Sequence, residues 1–419
     1  MTSRPGPGGN SPETCPFDYE RDLAAVKRIW REVGWVDDET VDALDDFFAC
    51  GATLVARLNG AAECSVHTVP GSMRVQQTDL PLCAVTAVTT SRVARGYGFA
   101  RQLTAQQLRA GAESGAAMAA LGMFDQGYYD QLGFGTGAYD HEFVIDAGNL
   151  NVDHRVPAPI RLAKDDFARV HDAMRQRNKV NGSVVLEPTR LMRAELGFLA
   201  DGFGLGYEQA GELTHFVWLT GEAERGPYHV RWLGYRTAEQ LTELLGLLKS
   251  LADQVYSVRL IEPPEVQLQS MLQRPFRNSA VSRRSKFANE HTSFAWWQAR
   301  ILNLQSVVAA LRVAGPDVRF ELDVSDPLTD MLHEADGWNG VGGNYLVTLG
   351  ERSFVAATGS EDAGLPRLTC SVNALTRLLL AVMPASSLAV TDDFDAPDDL
   401  LMALDQAINW ASPHPGWDF

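Results

Sequence analysis

Apolar residues recur at helical spacing along the first fifty positions. Leu23, Val26, Trp30 and Val33 share one face of a helix that Gly34 stops, and Val41, Leu44 and Phe48 share a face of a second. The acidic residues Asp38, Asp42, Asp45 and Asp46 fall on the other face of that second helix. The period then drops to two. Thr53 to Leu58 turn at Asn59-Gly60 into Ala61 to Val69, a β-hairpin pattern, and Met73 to Val75 and Leu82 to Val88 continue as strands. Arg95-Gly96-Tyr97-Gly98 interrupts the pattern before a helix that begins at about Phe99 and puts Phe99, Leu103 and Ala110 near one face. Ala117 to Leu121 reads as the next strand.

Pro157-Ala158-Pro159 marks a boundary, beyond which a similar order returns. Phe167, Val170 and Met174 give a helix, and Leu213 to Thr220 and Tyr228 to Trp232 give strands. Thr237-Ala238-Glu239-Gln240 is a capping box opening a leucine-rich helix through Leu251, and a strand from Val255 to Ile261 halts at Pro263-Pro264. The glycine turn is missing from this second set. From Phe294 the spacing of Trp296, Ile301, Leu304 and Val308 predicts a helix. Strands follow at Val318 to Val324, Tyr345 to Thr348 and Phe354 to Ala357. Trp338 to Asn344 has turn composition, with no helix after it to make a phosphate loop. Leu375, Leu379 and Val382, then Leu401, Leu404 and Ile408, give two final helices, the second starting near Asp395 and Pro397.

A chain of 419 residues implies two or three domains. No apolar run approaches the roughly 20 residues that span a bilayer, and Met1 to Thr14, rich in Gly and Pro, reads as a disordered tail and not a signal peptide. Five scattered cysteines without a Cys-x-x-Cys point to free thiols in a reducing cytoplasm. The net charge of −17 repels nucleic acid and draws in cations. Arg274 to Lys286 holds five basic residues and no acid, and pairing with the excess carboxylates outweighs nucleic-acid binding there. Nine dispersed histidines make no metal cluster, and there is no Gly-x-Ser-x-Gly elbow.

Candidate chemistry concentrates between Leu82 and Gly135. Glycines between a strand and a helix let backbone N–H groups approach an anion such as a pyrophosphate, and the helix N-terminus adds positive potential. Val88, Arg95, Gly96 and Gly98, together with Gly127, Tyr129, Leu132, Gly133, Phe134 and Gly135, resemble the motifs of the GNAT acyl-CoA N-acyltransferases. Within them the chain resembles the Eis-like (enhanced intracellular survival) acetyltransferases. Val93 stands where the GNAT pattern has Arg or Gln.

The resemblance implies an α+β chain of three units. These are an N-terminal GNAT domain with the acyl-CoA site (1–150), a second GNAT-like domain without cofactor (151–292), and a sterol-carrier-protein-like domain (293–419). Acetyl-CoA, the implied co-substrate, would be held by Thr86, Ala87 and Val88 on the strand, by Ala94, Arg95, Gly96, Tyr97, Gly98 and Phe99 at the turn, and by Phe124 and Asp125. Tyr129 would protonate the departing thiolate, and the Phe419 α-carboxylate would act as base. Trp35, Asp38 and Asp418 would face the acceptor, although the acidic run around Asp38 equally fits a solvated helix face. The implied reaction is direct attack by a primary amine of a cationic, aminoglycoside-like molecule on acetyl-CoA. The rivals are a biosynthetic enzyme with another acyl donor or a specialised amine, and a hydrophobic-ligand carrier with a vestigial GNAT half. A cytoplasmic homo-oligomer, a hexamer by resemblance, is expected, with no metal, nucleic acid or membrane span.

Overall fold

Among the described residues, three sheets of eight, seven and five strands organise the chain. The computed structural model describes residues 13–153, 155–221, 223, 225–273, 290–332, 337–358 and 364–417. The first unit runs β1 (Glu13–Pro16), α1 (Tyr19–Val33), α2 (Ala43–Phe48), β2 (Ala52–Leu58), β3 (Ala61–Val75), β4 (Thr78–Thr90), α3 (Phe99–Glu113), β5 (Met118–Gly122), α4 (Gln126–Asp130) and β6 (Gly135–Thr136). Helix α1 starts where the Asp18 carboxylate accepts the Arg21 N–H, and it stops at Gly34 with φ of 80°. It buries Val26, Ile29 and Trp30. Strands β4 and β5 are parallel because α3 carries the chain back between them.

The second unit contains β7 (Asp140–Ile145), β8 (Ile160–Leu162), α5 (Phe167–Gln176), β9 (Val184–Leu186), α6 (Thr189–Phe198), β10 (Phe203–Gln209), β11 (Glu212–Gly221), β12 (Tyr228–Gly234), α7 (Ala238–Ser250), β13 (Val258–Ile261), β14 (Glu290–Phe294) and β15 (Trp297–Ile301). Its sheet has the order β14-β7-β13-β12-β11-β10-β8. Sheet membership divides the chain differently from expected boundaries at residues 150 and 292. Strand β7 precedes residue 150 yet pairs with β13, while β15 crosses back to lie between β5 and β6 of the first sheet, and β9 joins that sheet on β3. The two sheets exchange strands.

Strand β15 also corrects the helix expected across Trp296, Ile301, Leu304 and Val308. All five residues of β15 are buried, so no alternation betrays it. The helical spacing arose by adding a buried strand to the separate α8 (Leu304–Ala310), which Asn303 caps by accepting the Ser306 N–H.

The last unit continues through β16 (Val318–Ser325), α9 (Pro327–Met331), β17 (Gly343–Leu349), β18 (Phe354–Ala357), β19 (Arg367–Ser371), α10 (Val372–Leu379), α11 (Ala385–Thr391), β20 (Phe394–Asp395) and α12 (Asp398–Ala407). Its mixed sheet, β18-β17-β16-β19-β20, packs Phe320, Leu322, Val347 and Leu368 with Leu375 and Leu378 of α10 in a dry core. A fully buried ion pair, Arg300 Nη2 to Asp326 at 2.7 Å, ties β15 to this unit. Asp326 also accepts the N–H groups of Leu328 and Val341, so its lone pairs are satisfied. Removing one partner from such a pair costs about 3–5 kcal/mol. Among the described residues no helix is long and apolar enough to cross a membrane.

Candidate active site

The register between β3 and β4 skips one residue. His67 faces Ala87 and Thr68 faces Val85, so Thr86 is bulged out, and its buried Oγ1 has no hydrogen-bond partner among the described residues. Pairing of β4 with β5 ends at Val85 and Leu121. Just beyond, the Met123 N–H turns to the Trp296 carbonyl at 2.7 Å. The two strands therefore part, and one edge of Thr86–Val88 opens into a slot suited to an extended ligand that adds like a strand. Sequence alone carried no sign of this bulge.

The turn expected to hold a pyrophosphate leads into α3. Gly96 and Gly98 have φ of 83° and 78°, and a Cβ at either would meet nothing within 4 Å. Backbone conformation, and not crowding, is what calls for glycine there. Gly98 is the N-cap residue and supplies no side-chain bond, and the first turn of α3 contains no acid. The first N–H groups of the helix are left for an outside anion. Ala94 and Phe99 are buried and seat the turn on the core, whereas Arg95 is exposed, as is Tyr97, whose ring stacks on Phe99 at 5.4 Å.

A cleft of about 410 Å³ lies at the splay, lined by Trp35, Val85, Thr86, Val88, Met123, Phe124, Tyr129 and Trp296. It brings together the expected Trp35, Thr86, Val88, Phe124 and Tyr129. Tyr129 is 2% exposed and packs edge-on against Phe124, Tyr128 and Phe134. Burial pushes its phenol well above the ordinary value, which keeps it protonated. Burial also pushes Tyr128 up to about 12. Phe124, 75% exposed, forms the rim, and Asp125 caps α4 by accepting the Gly127 N–H at 3.0 Å. Asp38 does not line the cleft; its exposed carboxylate pairs with Arg31 at 3.1 Å. Asp418 and Phe419 lie outside the described residues.

The tyrosine's short helix is held from behind by residues that sequence reasoning missed. Gln298 Nε2 donates to the Asp130 carboxylate at 2.7 Å and to Thr136 Oγ1 at 3.2 Å. Asn373 on α10 donates to the carbonyls of Asp130 and Phe134 at 3.0 and 2.8 Å, and Arg300 donates to the Leu132 carbonyl. The motif glycines admit these partners. A Cβ on Gly133 would come within 2.7 Å of the Arg300 guanidinium, and one on Gly135 would collide with the Asn373 carbonyl. The available signal was polar residues inside an apolar run, Gln298 and Arg300 within Trp297–Ile301, since buried polar groups demand partners.

Trp296 also borders a second cavity, of about 280 Å³. Its indole N–H donates to Asp140, a pocket residue 3.4 Å from His414 Nε2. Burial holds the His414 imidazole below its ordinary pKa against the pull of Asp140. The segment bearing His414 is tied down by His414 N–H to the Asn181 carbonyl at 2.8 Å and Val184 N–H to the Pro415 carbonyl at 2.9 Å. It ends, among the described residues, at Trp417, buried edge-on to Trp232 at 5.3 Å.

The split strands, the uncapped helix and the protonated tyrosine form one constellation suited to acyl transfer from a thioester. Residues 19–137 match the family model of the acetyltransferase (GNAT) domain. The chain is an enzyme with a GNAT acetyltransferase domain. Domains of this family use acetyl-CoA, which implies an acyl-CoA and an amine as reactants. Among solved structures, the chain is similar along 98% of its length to a GCN5-related N-acetyltransferase from Anabaena variabilis ATCC 29413, with TM-score 0.79, 15% identity and all of that chain covered. It is similar over 98% of its length to all of a conserved protein from Enterococcus faecalis V583, with TM-score 0.78 and 16% identity. Eis1 from Mycobacterium abscessus gives TM-score 0.74 and 17% identity, again over 98% of this chain and all of that one. These likenesses extend the shared fold through all three sheets. No curated protein matches the chain in sequence. Among the described residues no group of three or more His, Cys, Asp or Glu is arranged to hold a metal ion.

Proposed function

We propose that the enzyme transfers the acetyl group of acetyl-CoA to a primary amine of a small molecule by direct attack, without an acyl-enzyme. One observation carries this reading: the open edge at Thr86–Val88 and the buried, protonated Tyr129 line the same cleft. Pantetheine would lie along that edge, with the pyrophosphate at the Gly96–Gly98 turn and the first N–H groups of α3. The neutral amine nitrogen bonds to the thioester carbon, the C–S bond then breaks, and the leaving thiolate takes the Tyr129 proton. The amine's proton goes to a base. The Eis-like resemblance gives that role to the Phe419 carboxylate, with Asp418 beside it; both follow directly on Trp417 in the wall of the adjoining pocket.

The same resemblance favours a cationic, aminoglycoside-like acceptor, with the net charge of −17 in support. It also favours a cytoplasmic homohexamer and a sterol-carrier-like last unit, the latter supported by a five-stranded mixed sheet faced by helices. A specific observation favours the second reading, a specialised amine: the described lining of the pocket next to the cleft includes three tryptophans, and three guanidiniums beside its three carboxylates. The test is mass spectrometry of an amine library incubated with enzyme and acetyl-CoA. A gain of one acetyl on a primary amine is expected, and its absence across the library would sink the proposal.

A further inference from the structure

We infer that the acceptor is an amine on a short chain attached to an aromatic ring, and that the ring sits in the splay of the second sheet beside Trp296. This inference rests on the acetyl-transfer reading above. Strand β12 carries the same irregularity as β4. Trp218 faces Trp232 and Leu219 faces Val230, so Arg231 is bulged out. Its parallel pairing with β13 ends at His229 and Arg259, and the strands part there as β4 and β5 do. The 280 Å³ cavity occupies that opening.

A second acyl-CoA does not suit this slot, because the helix beside it is already capped. Thr237 accepts the Gln240 N–H, Gln240 Oε1 accepts the Arg236 N–H at 2.7 Å, and Glu239 places a negative charge in the first turn. What remains is a small pocket walled by Trp232, Phe294, Trp296, Trp417 and Pro263-Pro264. Its volume is just below the roughly 300–1,000 Å³ usual for ligand pockets. One flat ring with a short arm suits it better than a linked set of sugar rings.

The charges in the wall point the same way. Among the described lining residues three carboxylates (Asp140, Glu142, Glu262) meet three guanidiniums (Arg177, Arg231, Arg259). Glu142 pairs with Arg259 at 2.7 Å, and Glu262 accepts the Leu268 N–H at 2.9 Å. Buried Arg177 directs its donors to the carbonyls of Met174, Val184 and Pro415, so no carboxylate offsets its charge through those bonds. The described carboxylates are already engaged, Asp140 by Trp296 and His414, so an acceptor with several ammonium groups would lose their hydration for little new pairing with them. A ring with a single amine keeps the apolar contact and projects the nitrogen past Trp296, which lines both cavities.

The test compares arylalkylamines (phenethylamine, tryptamine) with polycations (spermidine, an aminoglycoside) as acceptors for the full chain and acetyl-CoA, following release of the CoA thiol. At least a tenfold higher kcat/KM for the arylalkylamines is expected. Phe294, 36% exposed on edge strand β14, can be changed without disturbing the core. Phe294→Ala should raise the arylalkylamine KM several-fold with the acetyl-CoA KM unchanged. A preference for polycations, or an arylalkylamine KM indifferent to Phe294→Ala, overturns the inference and leaves acetyl transfer standing. Acetyl-CoA binding without transfer to any amine overturns the functional reading itself.

Discussion

β4–α3–β5 in the first sheet and β12–α7–β13 in the second are two copies of one parallel strand–helix–strand design. Each first strand bulges at one residue, Thr86 or Arg231, and each parallel pair opens beyond its last partners. The helices differ at their first turns. Helix α3 follows two left-handed glycines and has no side-chain cap, while α7 is closed by Thr237, Gln240 and Glu239. The splay thus belongs to the fold, and what a splay can take is decided by a few residues at the start of the following helix. In the proposed reading the open helix end takes a diphosphate, and the closed one leaves a pocket for an aromatic ring.

The largest expected effect tests whether chemistry resides in the first copy alone. Tyr129→Phe deletes one hydroxyl from a packed ring, so turnover should fall by roughly 10²–10⁴ while acetyl-CoA still binds. Near-normal turnover would return the tyrosine to a packing role.

Making the first helix resemble the second should come next. Gly98→Asp adds a carboxylate where a Cβ meets no neighbour but where an anion is expected. Two unit charges about 6 Å apart at an effective dielectric of about 20 repel by about 3 kcal/mol, a loss of affinity on the order of 10². Titration calorimetry with acetyl-CoA measures it, and unchanged affinity would remove the diphosphate from this turn.

A smaller effect should follow from loosening α4. Asn373→Ala removes the bonds to the Asp130 and Phe134 carbonyls, and kcat should drop by about tenfold with the acetyl-CoA KM unchanged. In a Tyr129→Phe background the same change should do little more, since it acts through the tyrosine. Additive losses would mean that Asn373 only stabilises the fold.

Thr237→Ala gives the smallest change, about 1 kcal/mol of stability from the lost cap, read by thermal or chemical denaturation. Acetyl-CoA affinity should stay put. A gain of a second acetyl-CoA site would show that the cap alone excludes it from the second copy.

Much of the local structure was legible in the chain. The hairpin at Asn59-Gly60, the stop at Gly34, the cap at Thr237 and the helix after Gly98 are written by neighbours within a few residues, and the structure has each. Trp35, Thr86, Val88, Phe124 and Tyr129 line one cleft. Asp38 lies in the turn before α2, where it pairs with Arg31, so the acidic run expected on one helix face is divided between a turn and a shorter helix. Strand β15 was hidden because burial on both faces erases the period that distinguishes strand from helix.

The sequence by itself determined where the chain turns, which helix start is open to an anion and which tyrosine follows it, since these depend on backbone freedom and adjacent side chains. Only the tertiary structure decided that β7 and β15 change sheets, that Gln298, Arg300 and Asn373 steady the tyrosine from more than 160 positions away, and that Trp296 stands between two cavities. It also decided that, in a chain carrying −17 overall, the described lining of one pocket sets three guanidiniums against three carboxylates. Net charge is summed along the chain, whereas a ligand meets only the side chains that packing brings within a few ångströms.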